Sequence, residues 1–416
     1  MVLHSLVHVA TKKPEYELAD VLRLHLGDYL QKYHCTAAEL RALSAIMNCR
    51  TALLGGHVRV CDGCGQWQIS YNSCKNRHCP KCGAFEQAQW LAKLEALLLP
   101  VPYYHVVFTT DHALNDLAYH NPETIYTLLF QTASAVLKAY GKAYLGGDIG
   151  ATLVLHTWGQ TLQPHLHLHG MVTGGALGKT ADGYAWRESA QNFLFPVVKL
   201  AEDFRNAFCA GLLKLHGQGE LRLIGSCAEL DVPALVQAMV AKAWEVYIQK
   251  PVAGTAALTT YLGRYLQRTA IGNPRIQQIA DGRVTFAYRD NRERGDDQRG
   301  KVKRMTLPAV EFIHRFVRHV LPSGFVRVRH LGLHASGMRL KLQCARLLLG
   351  LDFALPKPAP LDLGAWLAKI GADDALRCPV CGVGTMQFAR DFAPLRGFTL
   401  WLLLLLGLPV YGETAT

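Results

Sequence analysis

Residues 151–172 read ATLVLHTWGQTLQPHLHLHGMV, two apolar runs joined by the polar GQTLQP. In the second run His165, His167 and His169 alternate with Leu166 and Leu168. A strand has a side-chain period of two, so the imidazoles share one face and the leucines the other. The first run, Ala151–Trp158, has strand texture as well, and the short connection makes the two an antiparallel hairpin. With the turn centred between Thr161 and Leu162, paired positions sum to 323 and His156 stands opposite His167. A slip of one residue would send His156 to the other face. His156, His167 and His169 then surround one point, with His165 at its edge as an alternative ligand or phosphate contact. Single core or surface histidines are ordinary, whereas three on one face point to a metal site. A zinc ion activating water would use the same donors. Hydrolysis of that kind also wants a nearby carboxylate base, and no Asp or Glu lies between Asp148 and Asp182.

Around the hairpin, Tyr103–Thr110 (YYHVVFTT), Val284–Tyr288 and Phe325–His330 read as strands. Apolar residues at helical spacing mark Asn121–Tyr140, Phe195–His216, Val232–Gln249 and Thr255–Thr269. Upstream, Leu22, Leu24, Leu26, Tyr29 and Leu30 belong to a helical lead-in from Tyr16 to Met47, and Ala84–Leu98 reads as a further helix. Strands interleaved with helices about a central hairpin give an α+β fold class. A chain of 416 residues exceeds one ordinary core. Three consecutive domains are expected: 1–98, 99–320 and 321–416, the last with a linker marked by Pro356, Pro358 and Pro360.

Between Cys49 and Cys82 the large aliphatics give way to Cys, His, Gly and Asn, so something other than an apolar core must hold the segment. Cys61 with Cys64 and Cys79 with Cys82 form two C-x-x-C pairs, fourteen residues apart. Each presents two thiolates from a tight turn, and together they close a tetrahedron around a structural zinc. A redox dithiol would explain one pair; two pairs in a coreless segment favour the metal. Cys49, His57, Cys74 and His78 interleave with these and are candidates for a second, cross-braced zinc, against the plainer reading of a buried cysteine or a surface histidine. Lys75, Arg77 and Lys81 bring positive charge, which makes Lys75 and Arg77 candidate DNA contacts. Cys378 and Cys381 form a further C-x-x-C with only Cys344 close enough in sequence to help complete it, while Cys35, Cys209 and Cys227 read as ordinary buried cysteines.

Half of the residues are hydrophobic and 18% are charged, which excludes a disordered chain. The net charge of +12 is concentrated: from Arg299 to Arg346 eleven Lys or Arg residues face a single acid, Glu311. Such an excess suits either a solvated face or contact with phosphates. The first residues lack a secretion pattern, and the apolar run Gly397–Tyr411 is shorter than the roughly 20 residues needed to span a bilayer. A cytoplasmic protein without a membrane partner is expected, its tail packed or lying as an interfacial helix.

In YLGRYLQRTA, Tyr261 and Tyr265 fall at i and i+4, on one face of a helix, and Arg264 and Arg268 repeat the spacing on an adjacent stripe. Two helical tyrosines alone are ordinary amphipathic packing. In company with CRTALLGGHVRVCDGCG, YNSCKNRHCPKC, YYHVVFTTDHALN, HTWGQTLQPHLHLHGMV, YLGRYLQRTAIGN and LPSGFVRVRHLGL they acquire another meaning. Over most of residues 45–335 the chain resembles the rolling-circle transposases of the insertion-sequence-ninety-one family. That family is similar to rolling-circle replication initiators and conjugative relaxases, which share a His, hydrophobic, His (HUH) motif.

The resemblance implies an HUH-endonuclease-like antiparallel sheet with flanking helices, preceded by a small zinc-binding domain. It makes His167 and His169 the HUH pair holding a catalytic Mg²⁺ or Mn²⁺, alongside structural Zn²⁺. It makes Tyr261 and Tyr265 the nucleophiles that nick and rejoin single-stranded DNA at transposon ends and target, with Arg264 and Arg268 as candidate DNA contacts. The third ligand is not set by the motif; the hairpin register nominates His156, with Gln267 a weaker candidate. The expected setting is the nucleoid of a bacterial cytoplasm. The chain departs from the family pattern at Thr110-Asp111, where Leu-Pro is usual, at Gln163-Pro164, where a His-rich lead-in is common, and in its leucine-rich end. The alternatives are a plasmid replication initiator or relaxase with the same chemistry, a non-catalytic zinc-dependent DNA-binding protein, and a hydrolytic metalloenzyme.

Overall fold

The computed structural model describes residues 14–251, 269–294, 300–358, 361–369 and 372–395. In it Gly150–Trp158 pairs antiparallel with Pro164–Thr173. The turn between them closes through the Leu162 amide on the Gly159 carbonyl and the Gly159 amide on the Gln163 carbonyl. Around this hairpin stands a five-stranded sheet in the order Val328–Gly332, Gly150–Trp158, Pro164–Thr173, Tyr103–Thr109, Val246–Ile248. Every neighbouring pair is antiparallel, and the strand carrying the histidines is central.

Alternation along these strands divides the layers. Val106, Phe108, Leu153, Leu155, Leu166 and Leu168 enter a core shared with helices Pro122–Leu145 and Val197–Gly217, which contribute Ile125, Leu129, Leu137, Phe204 and Phe208. The residues between them, Tyr103, Val154 and Met171, pack instead with Leu91, Leu94, Leu342 and Ala345. The long helix starts with Pro122 in its first turn, where a missing N–H costs nothing, and ends on Gly146 at φ 65°.

Contacts divide the chain into two units built from separated segments: Met1–Ala88, Gln267–Val320 and Pro360–Thr416 in one, Gln89–Leu266 and Leu321–Ala359 in the other. This replaces the expected consecutive division at 98 and 320. Strand pairing is the reason, since it recruits distant partners: Val328–Gly332 onto Gly150–Trp158 in the second unit and Met386–Phe392 onto Gly56–Cys61 in the first. The first unit also holds the strand Trp67–Tyr71 beside Gly56–Cys61, and a separate sheet of Gly300–Pro308, Arg283–Arg294 and Ile276–Ala280. Its lead-in is two helices, Leu18–Lys32 and Ala37–Asn48. They break at Thr36, whose side chain caps the Glu39 amide while the Glu39 carboxylate accepts from the Thr36 amide.

Several expectations are corrected. The helix read over Val232–Gln249 ends at Val240, and Val246–Ile248 pairs with Val106–Phe108 at the sheet edge. A short apolar run with β-branched residues reads either way, and the available edge settles it. The strand read from Phe325 begins at Val328, and the hairpin Gly175–Thr180 with Gly183–Glu188 was not anticipated. The basic stretch is divided between the two units. Much of its charge is engaged internally: Lys303 with Asp290 and Glu293, Arg315 with Glu311, Lys341 with Asp148, and buried Arg346 donating to the Asp352 carbonyl. The apolar run Gly397–Tyr411 and nearly all of Thr255–Thr269 lie outside the described residues. Among the described residues no helix is long and apolar enough to cross a membrane.

Candidate metal centre and thiolate clusters

His156 pairs with His167 across the hairpin, the partner required by the 323 register. The ligating nitrogens of His156, His167 and His169 lie within 4.8 Å of one another, with His156 and His167 buried and His169 half-buried. The Nε2 atoms of His167 and His169 are 3.2 Å apart. Two imidazole nitrogens each about 2.1 Å from a shared ion would stand about 3 to 3.4 Å apart. The indole of Trp158 stacks on His156 at 4.8 Å between ring centres, closing that side of the cluster.

The second partners of these rings fix where the protons sit. His167 Nδ1 is 2.7 Å from the His165 carbonyl, which can only accept, so the proton is on Nδ1 and the lone pair on Nε2. His105 Nδ1 lies 3.2 Å from the Gln249 Oε1, and His105 Nε2 lies 2.9 Å from His169 Nδ1. The amide oxygen accepts from His105 Nδ1, so His105 Nε2 accepts from His169 Nδ1, and His169 too keeps its lone pair on Nε2. Burial holds His167 down to about 3, helped by the neighbouring His165, and holds His105 down to about 4. Both rings are therefore neutral at physiological pH, the metal-binding form.

His105 was missed by the sequence reading. Its strand was legible, but which strand lies beside the histidines was not. His165 is half-buried, offers its carbonyl to His167 and packs its ring 5.2 Å from that of His112, outside the cluster. On the same sheet face Thr152 Oγ1 lies 2.9 Å from His330 Nδ1 and 3.2 Å from His334 Nδ1, while His334 Nε2 is 3.4 Å from the Tyr103 hydroxyl. Burial pushes His334 down to about 3.

The cysteines group differently from the sequence expectation. Cys49, Cys74, Cys79 and Cys82 form one set, and Cys61, Cys64, Cys378 and Cys381 another, with sulfurs within 4.8 Å in each. Thus Cys61 and Cys64 do not meet Cys79 and Cys82, and neither His57 nor His78 joins a set. His57 accepts a hydrogen bond from Arg59 Nε and tilts over Phe388, because its strand pairs with Met386–Phe392 and points the ring across that sheet. His78 is buried, its backbone held by the Asn76 side chain. No signal in the sequence distinguishes this grouping, since CDGCG at 61–65, CPKCG at 79–83 and CPVCG at 378–382 all share the form C-x-x-C-G. Cys344 packs in the second unit and belongs to neither set, and Cys209 and Cys227 sit in the main core, whereas Cys35 is half-buried. Lys75 and Arg77 are exposed, and Lys81 pairs with Glu17 at 2.8 Å. Tyr261, Tyr265, Arg264, Arg268 and Gln267 lie outside the described residues.

Residues 21–110 match the family described as "Transposase zinc-binding domain", and residues 150–341 match that described as "Putative transposase". The thiolate sets agree with structural zinc in such a domain. A protein of Sinorhizobium fredii named "Putative transposase y4qJ" is 39% identical over 392 residues, spanning 92% of this chain and 96% of its own length. The transposase for insertion sequence element IS801 of Pseudomonas savastanoi pv. phaseolicola is 27% identical over 358 residues, 83% of this chain and 82% of its own. No solved structure is significantly similar to the chain. The 39% identity over nearly the whole chain to one relative, similarity to a second and matches to both family domains in sequence order lead to one conclusion: the chain belongs to the insertion-sequence-ninety-one family of transposases.

Proposed function

We propose that the protein nicks and rejoins single-stranded DNA through tyrosine–phosphate esters during rolling-circle-type transposition. The observation that carries this reading is the convergence of His156, His167 and His169 on the central strands, with the Nε2 atoms of His167 and His169 facing each other at 3.2 Å. Three imidazole donors suit a divalent ion with open positions, and they favour Mn²⁺ over Mg²⁺, which prefers oxygen donors. A divalent ion bound there supplies Lewis-acid stabilisation to a non-bridging oxygen of the scissile phosphate.

The hydroxyl oxygen of Tyr261 or Tyr265 attacks phosphorus. The new Tyr–O–P bond forms as the P–O3′ bond breaks; the phenol gives up its proton and the departing 3′ oxygen takes one up, leaving a 5′-phosphotyrosine and a free 3′-OH. The ester conserves the bond energy, so a 3′-OH can reverse the step without ATP. With two tyrosines, one can hold the transposon strand while the other opens a second strand. Base pairing would hold the phosphate away from a metal centre on a sheet face, which selects single-stranded or melted DNA. Lys75, Arg77, Arg264 and Arg268 contact the DNA backbone, and the zinc-binding domain contributes end recognition. Membership of a transposase family favours transposition over plasmid initiation or relaxation by the same chemistry.

The test is incubation of the full chain with labelled single-stranded DNA from both flanks of its gene and Mn²⁺, scored for an adduct that resists denaturation. The adduct is expected with wild type and with Tyr261→Phe or Tyr265→Phe singly, and is expected to vanish in the double variant and in His167→Ala. Absence of any adduct from wild type, with DNA binding retained, would leave a non-catalytic DNA-binding protein as the better account.

A further inference from the structure

Cys378 and Cys381 lie far beyond residues 21–110, yet their sulfurs meet those of Cys61 and Cys64. Cys61 Sγ is 3.7 Å from Cys381 Sγ, and Cys64 Sγ is 3.8 Å from Cys378 Sγ. Four thiolates about 2.3 Å from a central zinc stand about 3.8 Å apart along the edges of a tetrahedron. The observed gaps are those edges, and they are far longer than the roughly 2.0 Å of a disulfide.

Both halves have the same construction. In CDGCG the Gly65 amide returns to the Cys61 carbonyl at 3.0 Å, with Gly65 at φ 71°. In CPVCG the Gly382 amide returns to the Cys378 carbonyl at 3.0 Å, with Gly382 at φ 66°. Backbone amides are aimed at the sulfurs: those of Gly63 and Cys64 reach Cys61 at 3.3 and 3.4 Å, and that of Gly384 reaches Cys381 at 3.4 Å. Such donors stabilise thiolate over thiol. Gly384 has no room for a side chain, since a methyl group there would collide with the Cys61 sulfur and the Gly63 amide. Apolar support is thin. Besides Cys61 and Cys378, Met386 is the one buried residue of this cluster, with half-buried Cys381 packed against it. With so little apolar burial, the two segments are otherwise joined by backbone pairing of Gly56–Cys61 with Met386–Phe392 and by the Thr385 amide donating to Asp62 at 2.8 Å.

We propose that Cys61, Cys64, Cys378 and Cys381 bind a second structural Zn²⁺, distinct from that of Cys49, Cys74, Cys79 and Cys82, which clasps the C-terminal knuckle onto the N-terminal zinc-binding domain. The domain recognised at residues 21–110 is then incomplete by itself and takes its last two ligands from the other end of the chain. Thiolate donors in a tetrahedron select zinc among the common divalent ions, with iron the competing occupant.

The experiment is metal analysis of the purified full chain carrying His167→Ala and His169→Ala, which removes the histidine centre from the count. Two zinc equivalents are expected, with an X-ray absorption shell of sulfur alone. Adding Cys378→Ser and Cys381→Ser should lower the count to one and leave the protein folded by circular dichroism. Adding Cys74→Ser and Cys82→Ser in their place should likewise leave one. A single equivalent before any cysteine is changed, imidazole nitrogen in the zinc shell, or iron in place of zinc would each overturn the proposal. The count and the shell before cysteine substitution decide the matter even if a serine variant fails to fold.

Discussion

His105 shows how a residue outside the cluster of three imidazoles can set the tautomer of one within it. Its Nε2 accepts from His169 Nδ1 while its own Nδ1 faces Gln249, so a two-bond relay from an amide oxygen holds the His169 lone pair on Nε2. Partners of this kind orient a metal-binding imidazole and raise its basicity. His105→Ala leaves His169 free to take either tautomer. Affinity for Mn²⁺ is expected to fall by about 10- to 100-fold, read from the bound and free electron paramagnetic resonance signals of the full chain. Unchanged affinity would show that the ring needs no such support. The same reasoning separates His165 from its neighbours: its position in the alternation is right, but its service to the cluster is through its carbonyl.

At the scale of elements, the central strand Pro164–Thr173 does two jobs that its period of two keeps apart. Leu166 and Leu168 enter the core under the long helices while His167 and His169 face the other way. Leu168 is fully buried, so Leu168→Ala removes packed methylenes and leaves a cavity. A loss of about 2–5 kcal/mol is expected, measured by urea unfolding, and a loss below 1 kcal/mol would mean that the strand is not anchored from this face. The hairpin was legible because a turn and an alternation are both local. The edge strand Val246–Ile248 was not, because its apolar residues fit a helix equally well until an unpaired sheet edge is present.

For the whole molecule, the buried neutral histidines make stability depend on pH. His334 is held down to about 3 by burial, whereas an unfolded histidine titrates near 6.5. Below that value the unfolded chain gains a proton that the folded chain refuses. The stabilisation is therefore complete above about pH 6.5 and is lost progressively as the pH falls toward 3. His105 and His167 act in the same direction. The urea midpoint is expected to drop between pH 7.5 and 5, and to drop less steeply in His334→Gln. An equal slope in that variant would assign the acid sensitivity to other groups.

The histidine face, the pairing of His156 with His167 and the metal character of the cysteine pairs were determined by the sequence itself. Each is written in residues close together, where the strand period, a short turn and the C-x-x-C spacing leave few alternatives. Which thiolates share a cluster, which histidine stands behind His169 and how the chain divides into units were decided only by the tertiary structure. Cys61 could be matched in sequence to either distant C-x-x-C. The pairing of Gly56–Cys61 with Met386–Phe392 brings Cys378 and Cys381 to it and leaves Cys79 and Cys82 to Cys49 and Cys74. Strand order carries no local signature. It follows from burying all the apolar faces at once, and so it exists only when the chain is folded.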